Sequence, residues 1–499
     1  MATLLIRGAR VLTLDDPGTE FAEADIAIDG DRIVAVGPNL GGDADRVIEA
    51  RGLLAMPGLV NAHFHSPGNL MKGQLDGMPL ELFMLHEVPP LADTTAGDTG
   101  ALRLAQVRTQ LGAVEMLRRG ITAVHDDAYH VPVATEASVD AIMQAYADVG
   151  IRATVAIDQP TVVEYDKYPF LKDLLSPAQR TAMEAAPRQT PAELLVLYER
   201  FIERWHGAAD GRLAAAVSCS APQRVTPDYL RALSALAQRF DLPFNIHLLE
   251  TKLQRVLGDE KYGKSLIRYL HDLGVLDEHV MAIHAIWVDE ADVALLAGAG
   301  CTVAHNPVCN LRLGSGVMPW HLMQAAGVPL CLGTDEMCSD DSTNLWFVAK
   351  TAALIHTLSH ADNRAWPRAA QVLHAATRGG ARALRRGADL GRLAPGCVAD
   401  QCLVDLDTHA FTPLHDLVRQ LVYCEDGSSV RHTIVGGRVV FEDGRVTTVD
   451  ERALRAEARA LAARAAPNHE AEALDAPYRE MVRLANARDV GLVRNLLGP

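Results

Sequence analysis

Met56 to His65, MPGLVNAHFH, is the stretch on which the reading of this chain turns. Gly58–Ala62 is a short apolar run of the kind that forms a buried strand, and two histidines, His63 and His65, follow it. Side chains alternate along a strand, so residues i and i+2 share a face and both imidazoles aim at one point. A metal ion at the mouth of a barrel needs that arrangement. With 19 histidines in 499 residues, chance alone supplies about one such pair. Its meaning rests on what the rest of the chain brings to it.

Working outward, apolar runs alternate with longer amphipathic stretches from Gly58 onward, the pattern of repeated strand–helix units around a parallel sheet. Eight runs read as strands: Gly58–Ala62, Ile121–Val124, Ala153–Ile157, Leu213–Val217, Phe244–Ile246, Met281–Ile283, Thr302–Ala304 and Pro329–Leu332. Eight such units predict an α/β fold, a (β/α)8 TIM-like barrel with its site at the C-terminal ends of the strands. Polar residues fall at those ends: His63 and His65 after the first run, His247 and Glu250 after the fifth, His284 after the sixth, His305-Asn306-Pro307 after the seventh and Asp335 after the eighth. Clustering at five strand ends points to one site.

On either side the texture is β. Leu4–Leu14 and Ala24–Val36 alternate around the turn Asp29-Gly30-Asp31, and Gly396–Leu406 and Arg431–Glu442 do the same around Gly436-Gly437. The expected organisation is residues 1–57 and 395–448 as the two parts of a small composite β-sandwich domain, 58–394 as the barrel and 449–499 as a helical tail. That tail packs on the barrel or on a neighbouring subunit. The connection Thr161–Arg188 is long enough to cover a pocket.

His63, His65, His247 and Asp335 make an N3O ligand set that suits one Zn²⁺ or Fe²⁺ with a position left for water. Such an ion lowers the pKa of the water toward neutrality and supplies a hydroxide nucleophile. Glu250, three residues past His247, is placed to take the water's proton and pass it to the substrate. His284 can donate to a developing oxyanion. Gln74 and Phe83 are candidates to contact a flat polar ring, by hydrogen bonding and by stacking.

Composition narrows the alternatives. The formal net charge is −16 and no basic run occurs, which argues against nucleic acid. No stretch approaches 18 consecutive apolar residues and the N-terminus lacks a leader pattern, so neither a membrane span nor export is expected. The eight cysteines show no C-x-x-C spacing and read as reduced residues of a cytoplasmic protein.

The motifs PGLVNAHFH, NLMKGQ, HLLET, IHAIW, AHNPVCNLRLGSGVMP and LGTDE, with GRLAPGCVADQCLVD and RHTIVGGRVV near the end, resemble the amidohydrolase superfamily. The resemblance is to its mononuclear branch of cytosine, guanine and S-adenosylhomocysteine deaminases and triazine hydrolases, over residues 3–448. It implies His63, His65, His247 and Asp335 as metal ligands, Glu250 as proton shuttle, His284 as the polarising histidine and Asp335 as a further proton acceptor. The implied reaction is loss of ammonia from an amidine-type carbon of a small nitrogen heterocycle. Displacement of a substituted amine or halide from a triazine-like ring is the alternative. A non-catalytic ligand-binding barrel is the alternative of another class. RLAAAVSCSA, the fourth strand region, lacks the lysine that a binuclear relative would carbamylate. By analogy with relatives, a homo-oligomer is expected.

Three segments depart from the family pattern. Leu82 falls where nucleoside deaminases place a ribose-contacting glutamate, with Glu81 beside it. Ser220 falls where a substrate-binding histidine often lies. Glu336-Met337-Cys338 follows Asp335 in place of a glycine-led segment. These departures set the expectation against adenosine-type substrates and toward free bases, pterins and triazines.

Overall fold

The computed structural model describes residues 2–87, 99–464 and 468–495. Its strands, in chain order, are β1 Ala2–Leu12, β2 Glu20–Asp29, β3 Arg32–Gly37, β4 Ala44–Glu49, β5 Leu53–Pro57, β6 Leu59–His65, β7 Ile121–Tyr129, β8 Arg152–Asp158, β9 Leu213–Ala215, β10 Val217–Ser218, β11 Phe244–Leu248, β12 Val280–His284, β13 Thr302–His305, β14 Leu330–Leu332, β15 Asp335–Glu336, β16 Gln401–Asp405, β17 Val430–Val435, β18 Arg438–Glu442 and β19 Arg445–Val446. Each of the eight apolar runs falls on strand, the fourth broken at Ala216 into β9 and β10, and β6, β11 and β12 extend past their runs to take in His63, His65, His247 and His284.

Two five-stranded parallel sheets carry these runs, ordered β15-β6-β7-β8-β9 and β10-β11-β12-β13-β14. Their strands are buried on both faces; every residue of β6, β8 and β12 is buried. That is why they read as near-continuous apolar runs rather than alternating ones. One residue, Ala216, separates β9 from β10, and Gly333-Thr334 separates β14 from β15. Asp335 then pairs with Phe64 and Glu336 with His65, which brings the eighth run beside the first. Helices cover the outer face. Glu136–Val149, for example, starts at a Thr135–Ser138 capping box and stops at Gly150 in the left-handed region, φ 86°.

The chain's two ends meet in a nine-stranded sheet, β19-β18-β17-β16-β5-β1-β2-β3 with β4 on β1. Strand β5 pairs antiparallel with β16, Leu54 opposite Val404. A buried ion pair ties this sheet to the parallel strands. Arg152, opening β8, donates from Nε and Nη2 to Asp400 at 2.8 and 3.0 Å, and Asp400 Oδ1 also accepts from Gly436 N at 2.8 Å.

Past Asp450 the chain forms the helices Glu451–Ala462 and His469–Asn486. In the helix His469–Asn486, Tyr478, Met481 and Ala485 join a cluster with Leu82, Leu171 and Leu253. No helix among the described residues is long and apolar enough to cross a membrane.

Removing one partner of a buried pair strands the other charge. Arg152→Met is therefore expected to destabilise the protein by about 3–5 kcal/mol, read as a lowered urea midpoint.

Candidate metal centre and pocket

Strand ends bring four histidines and two carboxylates together. His65 Nε2 is 3.3 Å from His247 Nε2, and Asp335 Oδ1 is 3.5 Å from both His63 Nε2 and His65 Nε2. Asp335 Oδ2 is 3.6 Å from His284 Nε2, and Glu250 Oε2 is 3.4 Å from that same nitrogen. Backbone positions are strained to achieve this. His284, Asp335, Ser220 and Leu249 all adopt positive φ, from 54° to 69°, an unfavourable region for non-glycine residues that clusters at functional sites.

The histidine tautomers follow from their partners. His65 Nδ1 is 2.6 Å from Asp127 O, and His247 Nδ1 is 2.8 Å from Ser220 O. A carbonyl only accepts, so both Nδ1 atoms carry the proton and both Nε2 atoms turn lone pairs inward. His63, fully buried, has no hydrogen-bond partner at either ring nitrogen. Asn310 Oδ1 lies 2.9 Å from His284 Nδ1 and, as an acceptor, takes its proton; Asn306 Nδ2 stands 3.4 Å from the same nitrogen.

These distances fit one metal ion. Ligand atoms about 2.0–2.1 Å from a common centre at tetrahedral angles stand about 3.3–3.4 Å apart, close to the 3.3 Å between His65 and His247 and the 3.5 Å from Asp335 to His63 and to His65. The groups His63, His65, His247 and His63, His284, Asp335 each meet the spacing of a metal site. Electrostatics agrees. Burial lowers the pKa of His65, yet Asp335, Asp127 and Glu336 outweigh it and raise it to about 9. Burial would raise Asp335, but the histidines hold it well below the ordinary carboxylate range. The cluster favours positive charge at its centre. Burial, with Asp335 and Glu81 adding to it, pushes the Glu250 carboxyl well above its usual range. Burial also pulls His284 down to about 4.

A cavity opens over this cluster, lined by His65, His247, Glu250, His284 and Asp335. Of the expected ring contacts, Phe83 and Ser220 line it. Gln74 does not: its side chain is exposed and reaches only Leu70 O, at 3.4 Å. Ser220 lends its hydroxyl to Arg224 Nη1 at 2.5 Å. The helix Leu80–His86 turns Glu81, not Leu82, toward the cavity. Glu81 accepts from Thr251 Oγ1 at 2.7 Å, while Leu82 packs against Leu171. Lys167 and Tyr168, from the Thr161–Arg188 connection, also line the cavity.

Sequence reasoning missed Tyr129, Asp158 and Arg224 in the cavity wall, whereas Glu336, in the segment that departs from the family pattern after Asp335, lines it. Asp158 and Tyr129 end strands β8 and β7, so the strand-end rule that found the histidines could have found them too.

Residues 54–440 match the model of the amidohydrolase family. The chain belongs to that family. It is 32% identical over 446 residues to a 5'-deoxyadenosine deaminase of Methanosarcina mazei, covering 89% of this chain and 94% of that protein. It is 35% identical over 446 residues to a 5-methylthioadenosine/S-adenosylhomocysteine deaminase of Natronomonas pharaonis, covering 89% and 93%. Among solved family structures, the zinc complex of an atrazine chlorohydrolase from Arthrobacter aurescens superposes with a TM-score of 0.83. It is 28% identical and covers 92% of this chain and all of that one. A zinc-bound adenosine deaminase from Xanthomonas campestris gives 0.80 at 26% identity, covering 93% and 98%. These neighbours imply a TIM-like barrel for the family member described here.

Gly333, between β14 and β15, is the close approach that lets Asp335 reach the histidines. A Cβ there would lie 2.6 Å from Asn306 Oδ1 and 2.8 Å from His63 O. Gly333→Ala is expected to reduce zinc content and stability together, by about 1–3 kcal/mol for the latter. Gly298→Ala, on a helix with open space around it, is expected to change neither. Elemental analysis and thermal melting of the two variants check this.

Proposed function

We propose that this protein is a zinc-dependent aminohydrolase that removes ammonia from the amidine-type carbon of a purine-like heterocycle. It is a hydrolase acting on carbon–nitrogen bonds in cyclic amidines, as its family and its named deaminase relatives indicate. The observation that carries the proposal is the gathering of His63, His65, His247 and Asp335 at metal-ligand spacing, with Glu250 and His284 at its edge. The architecture this reading requires is a closed eight-stranded barrel over residues 58–394, and the run β14–β15–β6 supports it.

His63, His65, His247 and Asp335 would hold the ion. When bound, it acidifies a coordinated water so that hydroxide is available near neutral pH. The remaining work belongs to the chain. Glu250 Oε2 carries a proton toward the departing nitrogen, and its raised pKa suits a group that must hold that proton at neutral pH. His284, held at Nδ1 by Asn310, fixes the attacked carbon's neighbour through Nε2. Asp335 Oδ2, 3.6 Å from that nitrogen, takes up the proton released as the nucleophile forms. Phe83 supplies an apolar wall for a flat ring.

The relatives favour adenosine-type substrates, contrary to the expectation drawn from Leu82 and Ser220. The pocket weakens that expectation too, because Glu81 faces the cavity. A second reading, displacement of halide or substituted amine from a triazine-like ring, draws on the atrazine chlorohydrolase neighbour. The two differ in their need for a proton donor: ammonia leaves only when protonated, whereas halide does not.

Zinc-loaded protein is expected to release ammonia from members of a panel holding 5'-deoxyadenosine, S-adenosylhomocysteine, adenosine, guanine and melamine. Glu250→Gln is expected to keep its zinc and to lose about 10²–10⁴-fold in rate. Ammonia release that survives Glu250→Gln would remove Glu250 from the mechanism. Chloride release from atrazine with none of the panel deaminated would favour the second reading. Chelation is expected to abolish turnover and added zinc to restore it.

A further inference from the structure

Two successive left-handed residues, His284 and Ala285 at φ 69° and 46°, turn the chain out of β12 where the His284 imidazole meets the cavity. Neither is glycine, and such a turn persists only where its surroundings hold it. The amides of Ile286 and Trp287 donate to Leu249 O at 3.1 and 2.9 Å, which ties the turn to the backbone just before Glu250. Ile286, Trp287 and Val288 are fully buried. The carbonyls of Ile286 and Val288 find their partner far along the chain: Arg494 donates to them from Nε at 3.0 Å and from Nη2 at 2.7 Å.

Arg494 also closes on the neighbouring loop. Its carbonyl accepts from Val317 N at 2.7 Å, and Gly316, at φ 124°, makes the room, since a Cβ there would lie 2.7 Å from Arg494 O. That loop follows the helix Pro307–Arg312, whose Asn310 takes the Nδ1 proton of His284. The imidazole is thus held from the end of β12 on one side and from the segment after β13 on the other. Arg494 joins the two. An arginine that only anchored the tail could take any acceptor on the outer surface, whereas this one spends Nε and Nη2 on the turn that carries His284. Residue 494 lies past 440, where the family match ends.

The rest of the tail grips the other walls. Asn468 Nδ2 donates to Leu85 O at 3.2 Å, and Lys252 Nζ donates to Asn486 O at 3.1 Å. The Tyr478 ring stands 5.6 Å from that of Tyr168, and its hydroxyl is 3.5 Å from Glu164, the partner of Lys167 in the cavity wall. We infer that residues 468–494 form a clasp over the strand-end face, in which Arg494 is a positioning residue that sets His284 against the substrate. The inference rests on the reading of His284 as a substrate contact in a deaminase.

Zinc-loaded Arg494→Ala is expected to keep its zinc and to lose about 10–100-fold in kcat, the scale of a misplaced contact group, with KM changed far less. Guanidinium ion at a non-denaturing concentration is expected to restore part of that loss, saturably. A denaturant slows a protein that is merely destabilised, so the rescue separates positioning from stability. Arg494→Lys, which can reach one of the two carbonyls, is expected to fall between. Wild-type kcat in Arg494→Ala, or a loss that neither guanidinium nor lysine mends, would overturn the inference. Amide hydrogen exchange tests the clasp with no substrate present. Faster exchange over residues 285–288 and at Val317 in Arg494→Ala, with β6 unchanged, is expected, and equal exchange would overturn it. Failure of the wild-type protein to release ammonia from any of the panel, with the exchange difference present, would keep the clasp and sink the deaminase reading.

Discussion

Two lone pairs face each other 3.3 Å apart, at His65 Nε2 and His247 Nε2. Backbone carbonyls of Asp127 and Ser220 hold the protons of both rings on the far side, so neither ring can turn its acceptor away without losing a buried hydrogen bond. Such a contact is repulsive until a cation or a proton lies between. The rest of the centre serves the same constraint. Asp335 supplies negative charge, His63 keeps both ring nitrogens free of other partners, and the left-handed backbone at His284 and Asp335 aims those side chains inward. Strain of this kind persists only where surrounding packing over-determines it. Here the support is the all-buried strand β6 and the glycine at 333, which admits β15 beside it.

The strands, and the cluster of residues proposed to hold the metal, were legible in the sequence for physical reasons. A strand buried on both faces must be apolar throughout, so the runs stand out against amphipathic helices. A two-residue period then fixes which side chains share a face, as at His63 and His65. The pocket wall obeys no such period. Gln74 lies in a turn-rich loop whose course depends on Arg312 and Asp341 far along the chain, and it ends exposed. At Leu80–His86 a one-residue step on a helix exchanges Glu81 for Leu82, so an alignment uncertain by one residue exchanges a carboxylate for a methyl-bearing chain. Arg224 was illegible for a different reason. Its Nη1 donates to Ser220 Oγ, a contact that no sequence motif announces.

The metal centre and the wall therefore carry different information. Proteins of similar fold and named for different leaving groups, a chlorohydrolase and an adenosine deaminase among them, superpose on this chain almost equally well. The wall is where this chain is particular. Glu336 stands directly after Asp335 and accepts from Tyr129 at 2.6 Å. Gly68 is what makes room for it, since a Cβ there would fall 2.1 Å from Glu336 Oε1. Changes of this type alter the cavity without touching a ligand, which is how one centre can serve several ring systems.

The nine-stranded sheet has a bearing on how the molecule is made. Strands β1 to β5 leave the ribosome first, and β5 finds its antiparallel partner β16 only after every parallel strand has been synthesised. Until then β5 presents an unpaired edge, a template for adventitious pairing with other chains. The nascent protein thus carries that edge until β16, Gln401–Asp405, has been made. Pairing with β16 then removes the template.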